Sequence, residues 1–238
     1  MARADRLLIT CEHAGNWVPR VYAGLFRGKR RLLTSHRGWD PGALDLAATI
    51  ARQLAAPLLI SETTRLLVDL NRSVTNQALF SEITRRLDAE SKRRILERYY
   101  YPHRERVTRS VAGHVSRGRR VVHLSVHTFT PVRDGLIRNA DIGLLYDPAR
   151  GAETGLCAGW RLRLGERQAR LRIRSNYPYR GVADGLTTVL RKHFPASRYL
   201  GIELEVNQKH FRGARQSWLE LKSVVVETLA AVVGRDGR

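Results

Sequence analysis

Apolar and polar positions alternate along the chain in two rhythms, and the switches between them predict the elements. Residues 7–11 form a short continuous apolar run of the kind a buried strand gives, whereas Leu46, Ile50 and Leu54 recur at helical spacing within 42–54. Residues 57–60 and 66–70 read as two further strands, 121–126 as a central strand and 142–146 as another. From Glu82 to about Ser116 the pattern is helical, polar and crowded with arginine, with a break expected near Pro102. A helix around 153–164, a strand at 171–174, a short helix at 185–193, a strand at 199–206 and a last helix over about 213–233 complete the order. Strands that alternate with helices in this way predict a three-layer α/β fold. A mixed, mostly parallel sheet would carry helices on both faces. No repeat, low-complexity segment or linker interrupts residues 1–238, so a single domain is expected.

Composition narrows the class. The 238 residues are 43% hydrophobic, with 19 glycines and 8 prolines, which suits one sizeable core and excludes a disordered or collagen-like chain. No run approaches the roughly 18 apolar residues of a membrane span. The charged start leads straight into the first predicted strand, so neither a membrane segment nor a leader is expected. Cys11 and Cys157 supply neither a disulfide framework nor finger-type metal spacing, and a reducing cytoplasm is the expected compartment.

The net charge of +20 adds a question about partners, since neutralised phosphates release counterions. Only five of the 42 basic residues are lysines, and the arginines run from Arg3 to Arg238 without forming one arm. Specific nucleic-acid binding is therefore not expected, and a small anionic substrate is the better use for the field. A polyanion surface at 85–109, with Tyr99, Tyr100 and Tyr101 as stacking groups, is the competing reading. Against it stands an ordinary solvated helix whose aromatic residues face the core.

In open α/β sheets, ligands bind at loops leaving the carboxyl ends of the strands. The first predicted strand runs into Glu12 and His13, the 66–70 strand into Asp69, Asn71 and Arg72, and the central strand into Ser125 and His127. The last strand carries Glu203 and Glu205, which share a face because residues i and i+2 project together. Leu200, Ile202, Leu204 and Val206 already give that strand an apolar face, so a solvated edge accounts poorly for the two glutamates. Singly, each residue has a bland explanation. Together, two histidines with carboxylates offer ligands that suit Zn²⁺, and an Asn-Arg pair offers a fork for a carboxylate.

Seven blocks, in order, carry a resemblance: Cys11-Glu-His-Ala-Gly-Asn-Trp-Val-Pro19, His36-Arg-Gly-Trp-Asp-Pro-Gly-Ala43, Val68-Asp-Leu-Asn-Arg72, Val126-His-Thr-Phe-Thr-Pro131, Asp141-Ile-Gly-Leu-Leu-Tyr146, Asn176-Tyr-Pro-Tyr179 and Gly201-Ile-Glu-Leu-Glu-Val-Asn-Gln208. Over about residues 7–225 the chain resembles the N-formylglutamate amidohydrolase family, whose fold is similar to that of zinc carboxypeptidases. The resemblance implies a single amidohydrolase domain holding one divalent metal, Zn²⁺, on His13 and His127. Asn16 stands where carboxypeptidases place a glutamate ligand. Asp40, in the Trp39-Asp-Pro-Gly42 stretch, matches an aspartate of the formylglutamate enzymes and is the implied third ligand, with Glu12 as the alternative. Glu205 matches the catalytic glutamate better than Glu203 does. Asn71 and Arg72 match a carboxylate clamp, Arg138 is a second anion contact or oxyanion stabiliser, and His36 is a possible partner of these groups. Arg65, with Arg133, Arg138 and Arg180, is available for a second substrate carboxylate. The implied reaction is hydrolysis of N-formyl-L-glutamate to formate and L-glutamate, as in histidine degradation. The alternatives are amide hydrolysis of another N-acyl amino acid or short peptide, or a non-catalytic polyanion binder on the same fold.

Overall fold

The alternation of apolar runs and amphipathic stretches resolves into a six-stranded sheet in the computed structural model, which describes residues 5–234. β1 (Arg6–Cys11) is followed by a 3₁₀ turn (Arg20–Phe26), α1 (Arg30–Leu33), α2 (Ala43–Gln53) and β2 (Leu58–Ile60). A long loop leads to α3 (Ala89–Ile95), which passes through a π turn (Leu96–Tyr100) into α4 (Tyr101–Val115). Then come β3 (Val121–Phe129), β4 (Val132–Arg133), β5 (Leu136–Ile137), β6 (Ile142–Leu145), α5 (Gly151–Arg167) and β7 (Ile173–Ser175). The chain closes with α6 (Leu186–His193), β8 (Tyr199–Asn207), α7 (Gln208–Arg212) and α8 (Arg215–Val233). The strand order is β2-β1-β3-β8-β6-β7. The first four run parallel, while β6 is antiparallel to β8 and carries β7 parallel to itself. The mixed, mostly parallel sheet is as expected. Among the described residues, no helix is long and apolar enough to cross a membrane.

The two faces of the sheet differ in chemistry. Ile9, Leu124, Val126, Ile202, Leu204 and Leu144 pack against α2, α5 and α8 through residues such as Ile50, Trp160 and Val225, all fully buried. On the other face, Leu8, Val121 and Tyr199 meet Val107 and Val111 of α4 and Leu186 and Leu190 of α6. That face then turns polar while staying buried: Thr10 Oγ1 lies 2.9 Å from His123 Nε2, and His123 Nδ1 lies 2.7 Å from the Tyr199 hydroxyl. Burial holds the His123 imidazole neutral, its pKa pushed down to about 4.

Three local expectations change. Residues 66–70 are not a strand but a buried loop in a separate apolar cluster with Phe26, Leu79, Ile95 and Tyr100. Its carbonyls are satisfied without a ladder: Ser81 Oγ donates to Leu66 O (2.5 Å) and Thr84 Oγ1 to Leu67 O (3.0 Å). The helical stretch is not broken at Pro102 either, because the wide π turn ends just before it and Pro102 falls in the first turn of α4. The β4–β5 hairpin is a feature the pattern does not predict. It is closed by Asp134 and Gly135 at φ 51° and 77°, the left-handed pair that two-residue hairpin turns require.

One buried ion pair ties the layers together. Glu153 of α5 accepts from Arg191 Nε of α6 (3.0 Å), from Gly201 N at the start of β8 (2.9 Å) and from Asp147 N (2.9 Å). Glu153→Ala strands a buried guanidinium and two backbone donors. Chemical denaturation should show a loss of about 3–5 kcal/mol, and a loss at the roughly 0–1 kcal/mol of a surface pair would count against this account.

Candidate active site

Parallel register gathers the polar side chains at one edge of the sheet. His127 of β3 is paired with Glu205 of β8, and Ser125 with both Thr10 of β1 and Glu203 of β8, on the face turned away from the α2–α5–α8 core. Just beyond β1 the chain delivers Glu12 and His13. The loop before α2 returns to the same point, where Asp40 N donates to His13 O (3.0 Å). That return depends on Gly42, whose φ of 89° and contact with Phe211 (2.8 Å from a would-be Cβ) leave no place for a side chain.

Three buried groups converge there. Asp40 Oδ2 lies 3.2 Å from His13 Nδ1 and 2.9 Å from His127 Nδ1. One ligand atom from each of His13, Asp40 and His127 falls within 4.8 Å of the other two. Each imidazole is fixed from behind by a buried carboxylate. His13 Nε2 donates to Asp69 Oδ1 at 2.7 Å, and His127 Nε2 lies 3.3 Å from Glu12 Oε2 and 2.9 Å from Ser125 Oγ. A proton held on the far nitrogen leaves the near lone pair free, which is how metal-binding histidines are oriented. The donor set, two imidazoles and a carboxylate, fits Zn²⁺. Glu12, the alternative third ligand, sits behind His127 instead. It is fully buried, and it accepts from Ser125 Oγ at 2.6 Å.

The charges follow from these contacts. Burial alone would raise Asp40, but His13, His127 and Arg65 hold it well below the usual carboxylate range. Burial would likewise raise Asp69 and Glu12, yet Arg65 and His13 keep the first ionised, and His103 and His127 the second. Burial would lower His127, but Asp40 and Glu12 drive it well up. Glu205 is different. It is buried, its Oε2 has no hydrogen-bond partner, and burial together with the charges of Asp40 and Glu203 pushes it up to about 8, against the pull of His127.

The remaining expected residues divide. Asn71 Nδ2 lies 3.4 Å from His127 Nε2 while its Oδ1 accepts from Leu186 N (2.7 Å). Arg72 lines the cleft and donates to Asp184 O (2.8 Å). Arg65 is committed to protein carboxylates, with Nη1 3.3 Å from Asp40 Oδ1 and Nη2 2.7 Å from Asp69 Oδ2. Arg138 does not line the cleft. It stacks over Tyr179, 5.2 Å from the ring centre, and donates to its hydroxyl. His36 does line it, and burial together with Arg133 and Arg65 lowers its pKa. Asn16 anchors Leu33 O (3.1 Å) and takes no part. Glu203 accepts from Thr187 Oγ1 (2.7 Å). Sequence reasoning placed Asp69 beside Asn71 and Arg72 at the end of a predicted strand but gave it no role, and its place behind His13 emerges only in the structure. Of the competing polyanion surface, Tyr100 is buried and Tyr99 packs edge-on against Trp17 and Tyr22.

A family model for N-formylglutamate amidohydrolase matches residues 5–212. Among solved structures, the gene product Atu2144 from Agrobacterium tumefaciens is similar over 100% of this chain and 93% of its own, at 28% identity and a TM-score of 0.83. The N-formylglutamate amidohydrolase from Ralstonia eutropha JMP134 shares the fold at 18% identity and a TM-score of 0.73, over 100% of this chain and 97% of that one. No curated protein matches the chain.

Proposed function

The chain belongs to the N-formylglutamate amidohydrolase family, and from that premise we propose that it hydrolyses the amide bond of an N-formyl or N-acyl amino acid, N-formyl-L-glutamate foremost. In this reading His13, Asp40 and His127 hold one divalent ion, Zn²⁺. The ion, when bound, supplies a Lewis acid for the amide carbonyl and a more acidic water. Glu205 would take up the proton of an attacking water on its unbonded Oε2 and pass it to the leaving nitrogen. Burial and the nearby carboxylates set Glu205 at about 8, close to neutrality, where a group can both accept and return a proton. Asn71 and Arg72 clamp the substrate's α-carboxylate and so set the acyl carbon near the water. Asp69, Arg65 and Glu12 act through the ligands, by fixing their tautomers and orientation.

The observation that carries this reading is the juxtaposition of Glu205 with the His13–Asp40–His127 group. A buried carboxyl without a hydrogen bond is costly and is kept where chemistry needs it. Formate release from N-formyl-L-glutamate, measured beside metal content, tests it. Close to one divalent ion per chain and activity lost on chelation are expected, whereas an unchanged rate after complete removal of metal overturns it. Arg72→Ala should raise KM by about 10–100-fold, the equivalent of the roughly 1.5–3 kcal/mol of a hydrogen bond to a charged group. A fall confined to kcat would place Arg72 in the transition state and not in the clamp.

A further inference from the structure

The cleft is larger than the reaction needs. Its volume is about 1040 Å³, at the top of the roughly 300–1,000 Å³ that encloses a drug-sized ligand, and a formyl amino acid is a fraction of that size. Apart from Glu205, the acidic side chains along its walls are spoken for. Glu82 is held by Arg37 (2.6 Å), Asp134 by Arg133 (3.4 Å), and Asp184 accepts from Ser73 N and Asn76 Nδ2. Two arginines on separate loops, Arg85 and Arg180, line the same cleft, and among the described residues no carboxylate or carbonyl holds either guanidinium. Glu82 lies close enough to feel the charge of Arg85, but its Oε1 is already taken by Arg37 at 2.6 Å.

Resting on the reading above, we infer that the cleft takes an acidic oligopeptide or a similarly extended polycarboxylate amide, with Arg85 and Arg180 receiving carboxylates beyond the one held at Asn71 and Arg72. A guanidinium presents a fork that matches a carboxylate. Such exposed pairs are individually weak, so the two together are worth about a tenfold gain in affinity. N-formyl-L-glutamate, with two carboxylates, cannot fill all three positions, and it leaves much of the cleft unoccupied by substrate.

The test is calorimetric titration of the metal-loaded protein with L-glutamate, tri-L-glutamate and tri-L-glutamine, run beside hydrolysis of N-formyl-L-glutamate and of acidic peptides. Tri-L-glutamate should bind about tenfold more tightly than L-glutamate, and tri-L-glutamine should show no such gain. The double variant Arg85→Ala/Arg180→Ala should lose the gain, bringing tri-L-glutamate to within about twofold of L-glutamate. A control, Arg106→Ala/Arg109→Ala, removes the same charge from exposed positions of α4 outside the cleft and should keep it. Equal affinities for the two acidic probes, or equal weakening by both double variants, overturns the inference. If N-formyl-L-glutamate is hydrolysed without any gain for tri-L-glutamate, only this inference fails. If no acyl amino acid or acidic peptide is hydrolysed, the reading of the site fails, and this substrate with it.

Discussion

Glu205→Gln is expected to lower kcat by about 10²–10⁴, the range for loss of a general base, while metal content and melting temperature stay at wild-type values. The amide keeps the shape and the burial of the carboxyl but cannot take a proton from water. Glu205 is no member of the ligand group, so the ion has no reason to leave. Among the described residues, its carboxyl is also the one at the site left free to act. Asp40 and Asp69 are bound by histidine and arginine, Glu12 is sealed behind His127, and Glu203 accepts from Thr187. Steady-state kinetics with N-formyl-L-glutamate and metal analysis on the same preparation check this. Full activity in Glu205→Gln, or loss of its metal, would move the role to Glu203 or Glu12.

His127→Ala should lose the metal altogether. Removing one of three protein donors ought to exceed the 10–100-fold loss of affinity that follows when only the hydrogen-bonding partner of a ligand is removed. Asp69→Asn, which leaves His13 in place but weakens its backing, supplies that smaller loss for comparison. The ordering His127→Ala below Asp69→Asn below Glu205→Gln in metal retained is the result to look for after dialysis against a chelator. Because His127 also offsets the buried charge of Glu12, a melting curve must accompany the assay, and His127→Asn gives a second, gentler removal of the ligand. Retention of metal by both His127 variants would remove His127 from the ligand set.

Much of this was legible in the chain because strand ends and periodicity are local properties. The apolar run of β1, the two-sided pattern of β8 and the helical spacing of α2 place Glu12, His13, Glu203 and Glu205 before any coordinates are known. Residues 66–70 show where that logic ends. A continuous apolar run looks the same in a buried strand and in a buried loop, and here hydroxyls at Ser81 and Thr84, well along the chain, decide between them. The backing of His13 by Asp69 spans 56 residues and that of His127 by Glu12 spans more than a hundred, so neither leaves a trace in spacing. Arginines are too numerous in this sequence for charge to rank them. Packing alone sends Arg65 to Asp40 and Asp69 and turns Arg138 against Tyr179.

The unlike faces of the sheet divide the chain into parts with different freedom to change. Toward α2, α5 and α8 a strand side chain needs only the right bulk, so Ile9, Leu124 or Ile202 can exchange among aliphatic residues at modest expense. On the opposite face each group answers to a named neighbour, as Thr10 does to His123 and His123 to Tyr199, and a single exchange leaves a polar atom stranded in a dry interior. The cleft walls obey neither constraint. Arg72, Arg85 and Arg180 all stand on loops, where replacement disturbs no ladder. New preferences can therefore arise at the rim with the strand-end groups left in place.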